Sequence, residues 1–146
     1  MSVKQISVFL ENRQGALEEF TRLIGENGVD LIALSIADTT DFGIARAIVD
    51  DNDKALALVR AAGYTASLTD VLAVAVPDSP GGLSTALRLL EQGGVSIEYL
   101  YSFVRRFGTS AVIIFRVDKP GEAAKLLQDN GIRLLQPDEV TCKDCE

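Results

Sequence analysis

The sequence predicts an α+β protein built from two successive units of the order βαββαβ. Three observations lead there: an internal repeat, hydrophobic segments that switch between period 2 and period 3.6, and a glycine closing each helical segment. Laid without gaps, Gly15 to Leu34 and Gly81 to Leu100 share seven of twenty residues: Gly15/Gly81, Leu17/Leu83, Arg22/Arg88, Leu23/Leu89, Gly28/Gly94, Val29/Val95 and Leu34/Leu100. Ordinary composition would give roughly one or two. The likeness continues where Phe42-Gly43 is answered by Phe107-Gly108 and Gly63 by Gly131, so each unit is about 66 residues long.

In the first unit, Ile6, Val8 and Leu10 alternate with Gln5, Ser7 and Phe9, a strand pattern that ends near Glu11. Leu17, Phe20, Leu23 and Ile24 then recur at helical spacing, and Gly28 stops the helix. Residues 30–38 and 43–50 read as two strands joined through Thr39-Thr40-Asp41. A second helix carries Ala55, Leu58, Val59 and Ala62 to the stop at Gly63, and residues 64–69 supply a fourth strand. The second unit repeats the order as strand 71–77, helix 81–92, strands 96–105 and 109–117, helix 119–130 and strand 132–136. This is the ferredoxin-like arrangement, in which two right-handed crossovers put both helices on one face of a four-stranded antiparallel sheet.

The domains are therefore expected at 1–70 and 71–140, with a C-terminal tail of 141–146. Thr69-Asp70 is the one candidate linker, and it has no Gly, Pro or Ser run to let the halves drift. The units are expected to dock side by side. In Ala111-Val-Ile-Ile-Phe-Arg-Val117 both alternating sets are apolar, so this strand expects cover on its second face as well. Tyr99, Tyr101 and Phe103 form a period-2 aromatic stripe, read as sheet packing rather than a ligand shelf.

Composition narrows the chemistry. The chain has 146 residues, 21 acidic and 14 basic, a net charge of −7, and no histidine. Without histidine, Ser-His-Asp and Cys-His nucleophiles and His-based metal sites are excluded. The negative field disfavours nucleic acid and anionic membrane surfaces as partners. Mean hydropathy is +0.19, yet no stretch free of Asp, Glu, Lys and Arg exceeds nine residues, against the ~20 apolar residues a spanning helix needs. A strand-like N-terminus without a signal-peptide pattern points to the cytoplasm. Cys142 and Cys145 form a CxxC that offers only two of the four thiolates of a structural zinc, although two chains could pool four. It is read as part of the tail. Arg105 and Arg106 beside Phe107-Gly108 read as a solvated turn, and no P-loop or GxGxxG is present.

The strongest local motifs stand where the first strand of each unit enters its helix: Asn12-Arg-Gln-Gly-Ala-Leu17 and Asp78-Ser-Pro-Gly-Gly-Leu83. Asn12, and either Asp78 or Ser79, suit an N-cap, and Pro80 suits the first helical position. Gly15, Gly81 and Gly82 remove side chains where a ligand would approach the backbone. Helix-start amides carry about half a positive charge, a natural seat for a small carboxylate.

Asn12-x-x-Gly15-x-Leu17 with Gly28-Val29-Asp30-Leu31, and Asp78-x-x-Gly81-x-Leu83 with Gly94-Val95-Ser96-Ile97, resemble two ACT domains in tandem, over roughly residues 3–136. The family often has Asn where this chain has Asp30 and Ser96. The resemblance implies sheets paired side by side and an amino acid bound between domains, of one chain or of two. It implies that amides around Gly15, Ala16 and Leu17, and around Gly81, Gly82 and Leu83, hold the ligand carboxylate, while Asn12 and Asp78 orient the loop or receive the ammonium. The expected binding residues are thus Asn12, Arg13, Gln14, Gly15, Ala16 and Leu17, with Asp78, Ser79, Pro80, Gly81, Gly82 and Leu83. No catalytic domain is expected beside the pair. The expectation is a non-catalytic amino-acid sensor without cofactor or metal, signalling by changed association as a homodimer or with a metabolic enzyme in trans. The alternative is a ligand-free dimerisation module that docks onto such an enzyme. A ligand with so few atoms gains roughly −4 to −8 kcal/mol, a millimolar to micromolar dissociation constant.

Overall fold

The computed structural model describes residues 3–38, 42–103 and 108–142. The turn Thr39-Thr40-Asp41, the run Arg105-Arg106-Phe107 and Cys145 lie outside the described residues. The chain divides into two compact units, Lys4–Thr69 and a second that runs from Asp70 onward and takes in Val3.

The first unit holds β1 (Val3–Glu11), α1 (Ala16–Glu26), β2 (Leu31–Asp38), β3 (Phe42–Val49), α2 (Asn52–Ala61) and the beginning of β4 (Ala66–Pro77), with sheet order β2-β3-β1-β4. The β1–β3 and β2–β3 ladders are antiparallel and share a register, Val8 and Ile36 each standing opposite Ala45. Ile6, Val8 and Leu10 thereby share a face with Ala45, Ala47 and Val49. Against it pack Phe20 and Ile24 of α1 and Ala55 and Val59 of α2. Full burial of a side chain such as Phe20 or Ile24 contributes about 1.5–3 kcal/mol. The Phe20 ring also meets Tyr64 edge to face, with centroids 6.4 Å apart.

The second unit takes the rest of β4, then α3 (Gly82–Gln92), β5 (Ile97–Ser102), β6 (Ser110–Val117), α4 (Pro120–Asp129), β7 (Arg133–Leu134) and α5 (Pro137–Thr141), with order β7-β4-β6-β5. Leu72, Val74 and Val76 join Ile113, Phe115 and Val117 beneath Ala86, Leu90, Ala123 and Leu127. The two units repeat fine detail as well. A register shift interrupts β2 between Leu31 and Ala33 and β5 between Ile97 and Tyr99, at matching positions of the repeat. Val112 and Ile114 are as buried as Ile113 and Phe115, so β6 is covered on both faces, as its composition requires. Tyr101 is buried and Tyr99 half-buried, in keeping with sheet packing.

Three expectations are corrected. The strands expected at 64–69 and 71–77 are one strand, β4, running from Ala66 to Pro77 with Thr69-Asp70 inside it and residues 64–65 ahead of it. Nothing from Ala66 to Val76 is Gly or Pro, so no residue interrupts the extended backbone, and the Arg116 guanidinium donates to the Asp70 carbonyl at 2.9 Å. The strand expected at 132–136 is only Arg133–Leu134, because Pro137 opens a helix instead. That helix, α5, begins within a box in which the Glu139 carboxylate accepts from the Gln136 N–H at 3.1 Å, and it buries Val140, so residue 141 is its last turn rather than the start of a tail.

Candidate ligand-binding site

The first helix of each unit starts later than its capping signals predict. The N-cap of α1 is Gly15 and that of α3 is Gly81, and neither helix has a side-chain cap. Asn12, Asp78 and Ser79 are therefore not caps, and Pro80 is not the first helical residue. The reason is a tight turn ahead of each helix. The Arg13 N–H donates to the Glu11 carbonyl at 2.9 Å and the Ala16 N–H to the Arg13 carbonyl at 3.3 Å, while in the second unit the Gly82 N–H donates to the Ser79 carbonyl at 3.1 Å. The chain turns into the helix through Gly15 at φ +88° and Gly81 at φ +86°, left-handed backbone that costs other L-residues about 1–2 kcal/mol. Helical bonding then begins with Glu19 N–H to Gly15 carbonyl at 3.0 Å and Thr85 N–H to Gly81 carbonyl at 3.1 Å. First-turn amides have no acceptor within a helix, and here no capping side chain covers them.

Beside each helix start lies a cavity. That of the first unit is about 390 Å³ and is lined by Phe9, Glu11, Arg13, Ala16, Glu19, Phe42, Ala62, Gly63, Tyr64 and Thr65. That of the second is about 310 Å³ and is lined by Ala75, Val76, Pro77, Gly82, Thr85, Ser110, Gly131, Ile132 and Arg133. The two sets correspond through the repeat. Phe9, Glu11, Ala16 and Glu19 answer Ala75, Pro77, Gly82 and Thr85, and Gly63, Tyr64 and Thr65 answer Gly131, Ile132 and Arg133; Phe42 stands opposite Glu11 as Ser110 stands opposite Pro77, so its counterpart is Ser110 and not the Phe107 expected from the sequence. The same three segments build both cavities: strand end and helix start, the beginning of the third strand, and the turn after the second helix.

Their electrostatics differ. Arg13 forks onto Glu19, Nη1 to Oε1 at 3.2 Å and Nη2 to Oε2 at 2.6 Å, and its Nε reaches Glu11 Oε2 at 3.2 Å. This hydrogen bonding and charge from Glu19 raise the guanidinium pKa above its ordinary value, and those from Arg13 hold the Glu19 carboxyl below the usual range. In the second cavity Pro77 and Thr85 replace the two carboxylates, and Arg133, its one charged lining residue, is paired with Glu139.

Of the expected binding residues, Arg13 and Ala16 line the first cavity and Gly82 the second. Gly15 and Gly81 shape the helix starts. Asn12, Gln14, Asp78, Ser79 and Pro80 are exposed on the turns, Leu17 is exposed on α1, and Leu83 packs against the second core. The N–H groups of Asp30 and Ser96 donate to Asp50 Oδ1 and Asp118 Oδ1, each at 2.9 Å, and neither residue lines a cavity. Glu11, Glu19, Phe9, Phe42 and Tyr64, with their second-unit counterparts, were not expected at the site. Gly63 and Gly131, read as helix stops, were the signal that a turn follows there.

Among the described residues no group of three or more His, Cys, Asp or Glu is placed to hold a metal, and no helix is long and apolar enough to cross a membrane.

Two ferredoxin-like units with an equivalent cavity in each define a duplicated α+β protein. Direct comparison gives its family: a family model described as an ACT domain pair matches residues 1–142, and the chain belongs to that family. A solved structure of a protein from Bacteroides thetaiotaomicron is 35% identical, with a TM-score of 0.90 over 97% of this chain and 96% of that one. The fold is also similar to the ligand-free regulatory subunit of aspartate kinase from Thermus thermophilus, at 14% identity and a TM-score of 0.60 over 88% of this chain and 92% of that one. The corresponding subunit from Thermus flavus gives 14% and 0.61 over 86% and 90%. No curated protein matches the chain.

Proposed function

We propose that this chain is a non-catalytic regulatory protein that binds a free amino acid beside the start of α1 or α3 and reports occupancy by a change in association, with a second copy of itself or with a metabolic enzyme. The observation that carries the reading is the duplicated cavity next to a glycine-capped helix start, where no side-chain cap competes for the positive end of the helix. Family membership and the likeness to aspartate kinase regulatory subunits support a regulatory role. The charged groups of the first cavity, Glu11, Arg13 and Glu19, are engaged with one another, which supports binding rather than acid-base work.

Ligand binding that favours one arrangement shifts the equilibrium only by its differential affinity, so the test is thermodynamic. An amino acid at a hundred times its dissociation constant stabilises the native state by about 2.7 kcal/mol. For a chain of this size that is a rise in melting temperature of roughly 5–11 °C. A thermal-shift screen of the twenty amino acids should show such a rise for at least one, with a changed sedimentation coefficient under the same conditions. A ligand-free docking module would show neither.

A further inference from the structure

We propose that the two cavities have diverged and that the first is the amino-acid site, reading the ligand's ammonium group through Glu11 and seating an apolar side chain against Phe9 and Phe42. The inference rests on the amino-acid-binding reading above and assigns it to one copy and one ligand class.

The assignment comes from charge balance. One guanidinium faces two carboxylates in the first cavity, which leaves a net charge of −1. Glu19 spends both oxygens on Arg13, whereas Glu11 gives it only Oε2, at 3.2 Å, and its side chain is 72% exposed. A carboxylate accepts several hydrogen bonds, so Glu11 keeps capacity for an ammonium donor. With the ligand's own carboxylate on the amides of the α1 start, a zwitterion meets complementary charge at both ends. A second carboxylate on the ligand would meet Glu11 and Glu19 instead. Phe9 and Phe42 are 49% and 55% exposed, an unusual outlay of aromatic surface beside a charged group. The second cavity has Ala75, Pro77 and Ser110 at the positions of Phe9, Glu11 and Phe42, and so offers neither the acceptor nor the aromatic wall.

Calorimetric titration of the full chain with L-phenylalanine and L-leucine, beside 3-phenylpropionate and L-glutamate, tests this. The expected result is one ligand per chain for phenylalanine or leucine, with at least tenfold weaker binding of the deaminated and the acidic compound. Glu11→Gln and Phe42→Ala, both at exposed side chains, should each weaken binding about tenfold or more. In NMR spectra the ligand should shift the Phe9 and Phe42 rings and leave the Ile132 methyls in place. Shifts at Ile132 instead, equal binding of 3-phenylpropionate, or full affinity in Glu11→Gln would overturn the assignment while amino-acid binding stands. Absence of binding by all twenty amino acids would remove the underlying reading as well.

Discussion

Gly15 and Gly81 hold backbone that L side chains rarely adopt, with open space where a Cβ would stand. Substitution there is a test of conformation alone. Gly15→Ala should lower stability by about 1–2 kcal/mol in urea unfolding. Gly25→Ala, inside α1 and equally unobstructed, should raise it by about 0.5–1 kcal/mol. The Arg13–Glu19 pair makes a second prediction at this scale. Because Glu19 has a lower pKa folded than unfolded, the pair supports the fold above the ordinary glutamate value of about 4.3, and that support fades as pH falls through the lowered value. A carboxyl-carbon NMR titration should find Glu19 below about 4.3, returning toward it in Arg13→Gln. The glycines stood out in the sequence, but their handedness did not. Asn12 and Asp78 carry the chemistry of caps, and only the turn that precedes Gly15 and Gly81 displaces them. Glu11, Glu19 and Tyr64 escaped notice because a cavity formed by a strand end, a helix turn and a distant loop has no linear spacing.

Helices α1 and α3 occupy equivalent places with different tolerances. A Cβ on Gly82 would lie 2.1 Å from the Pro77 carbonyl oxygen, whereas its counterpart in the first unit is a buried alanine, Ala16. The start of α3 thus packs directly on backbone. Gly82→Ala should displace the helix start and cost about 1–3 kcal/mol, read as a lower urea midpoint with an unchanged slope. At this scale most of the fold was legible: alternation marked Ile6 to Leu10, and three-four spacing marked Leu17 to Ile24. The misreadings sit where short-range signals compete. Thr69-Asp70 reads as a linker in the sequence, yet both residues lie inside β4. Pro137, Asp138 and Glu139 form a helix-start signature just past the strand expected at 132–136, and no helix was expected there.

At the scale of the whole molecule, duplication is the organising fact. Each unit carries the same strand order, a matching register shift and a cavity from corresponding residues, with a charged and aromatic lining in the first and a nearly neutral one in the second. The repeat was visible in seven shared residues of twenty, and the family resemblance followed from it. The difference between the two linings was not, since Glu11 and Pro77 precede the aligned window and Glu11 acquires meaning only beside Arg13. The chain has a net charge of −7 and no histidine, and its first cavity gathers one arginine and two glutamates. Whether a free amino acid is recognised there is the central claim, and isothermal titration of the full chain against the twenty amino acids measures it most directly. Saturable heat from at least one is expected, with a dissociation constant in about the micromolar to millimolar range. No heat from any of them at millimolar concentration would contradict it.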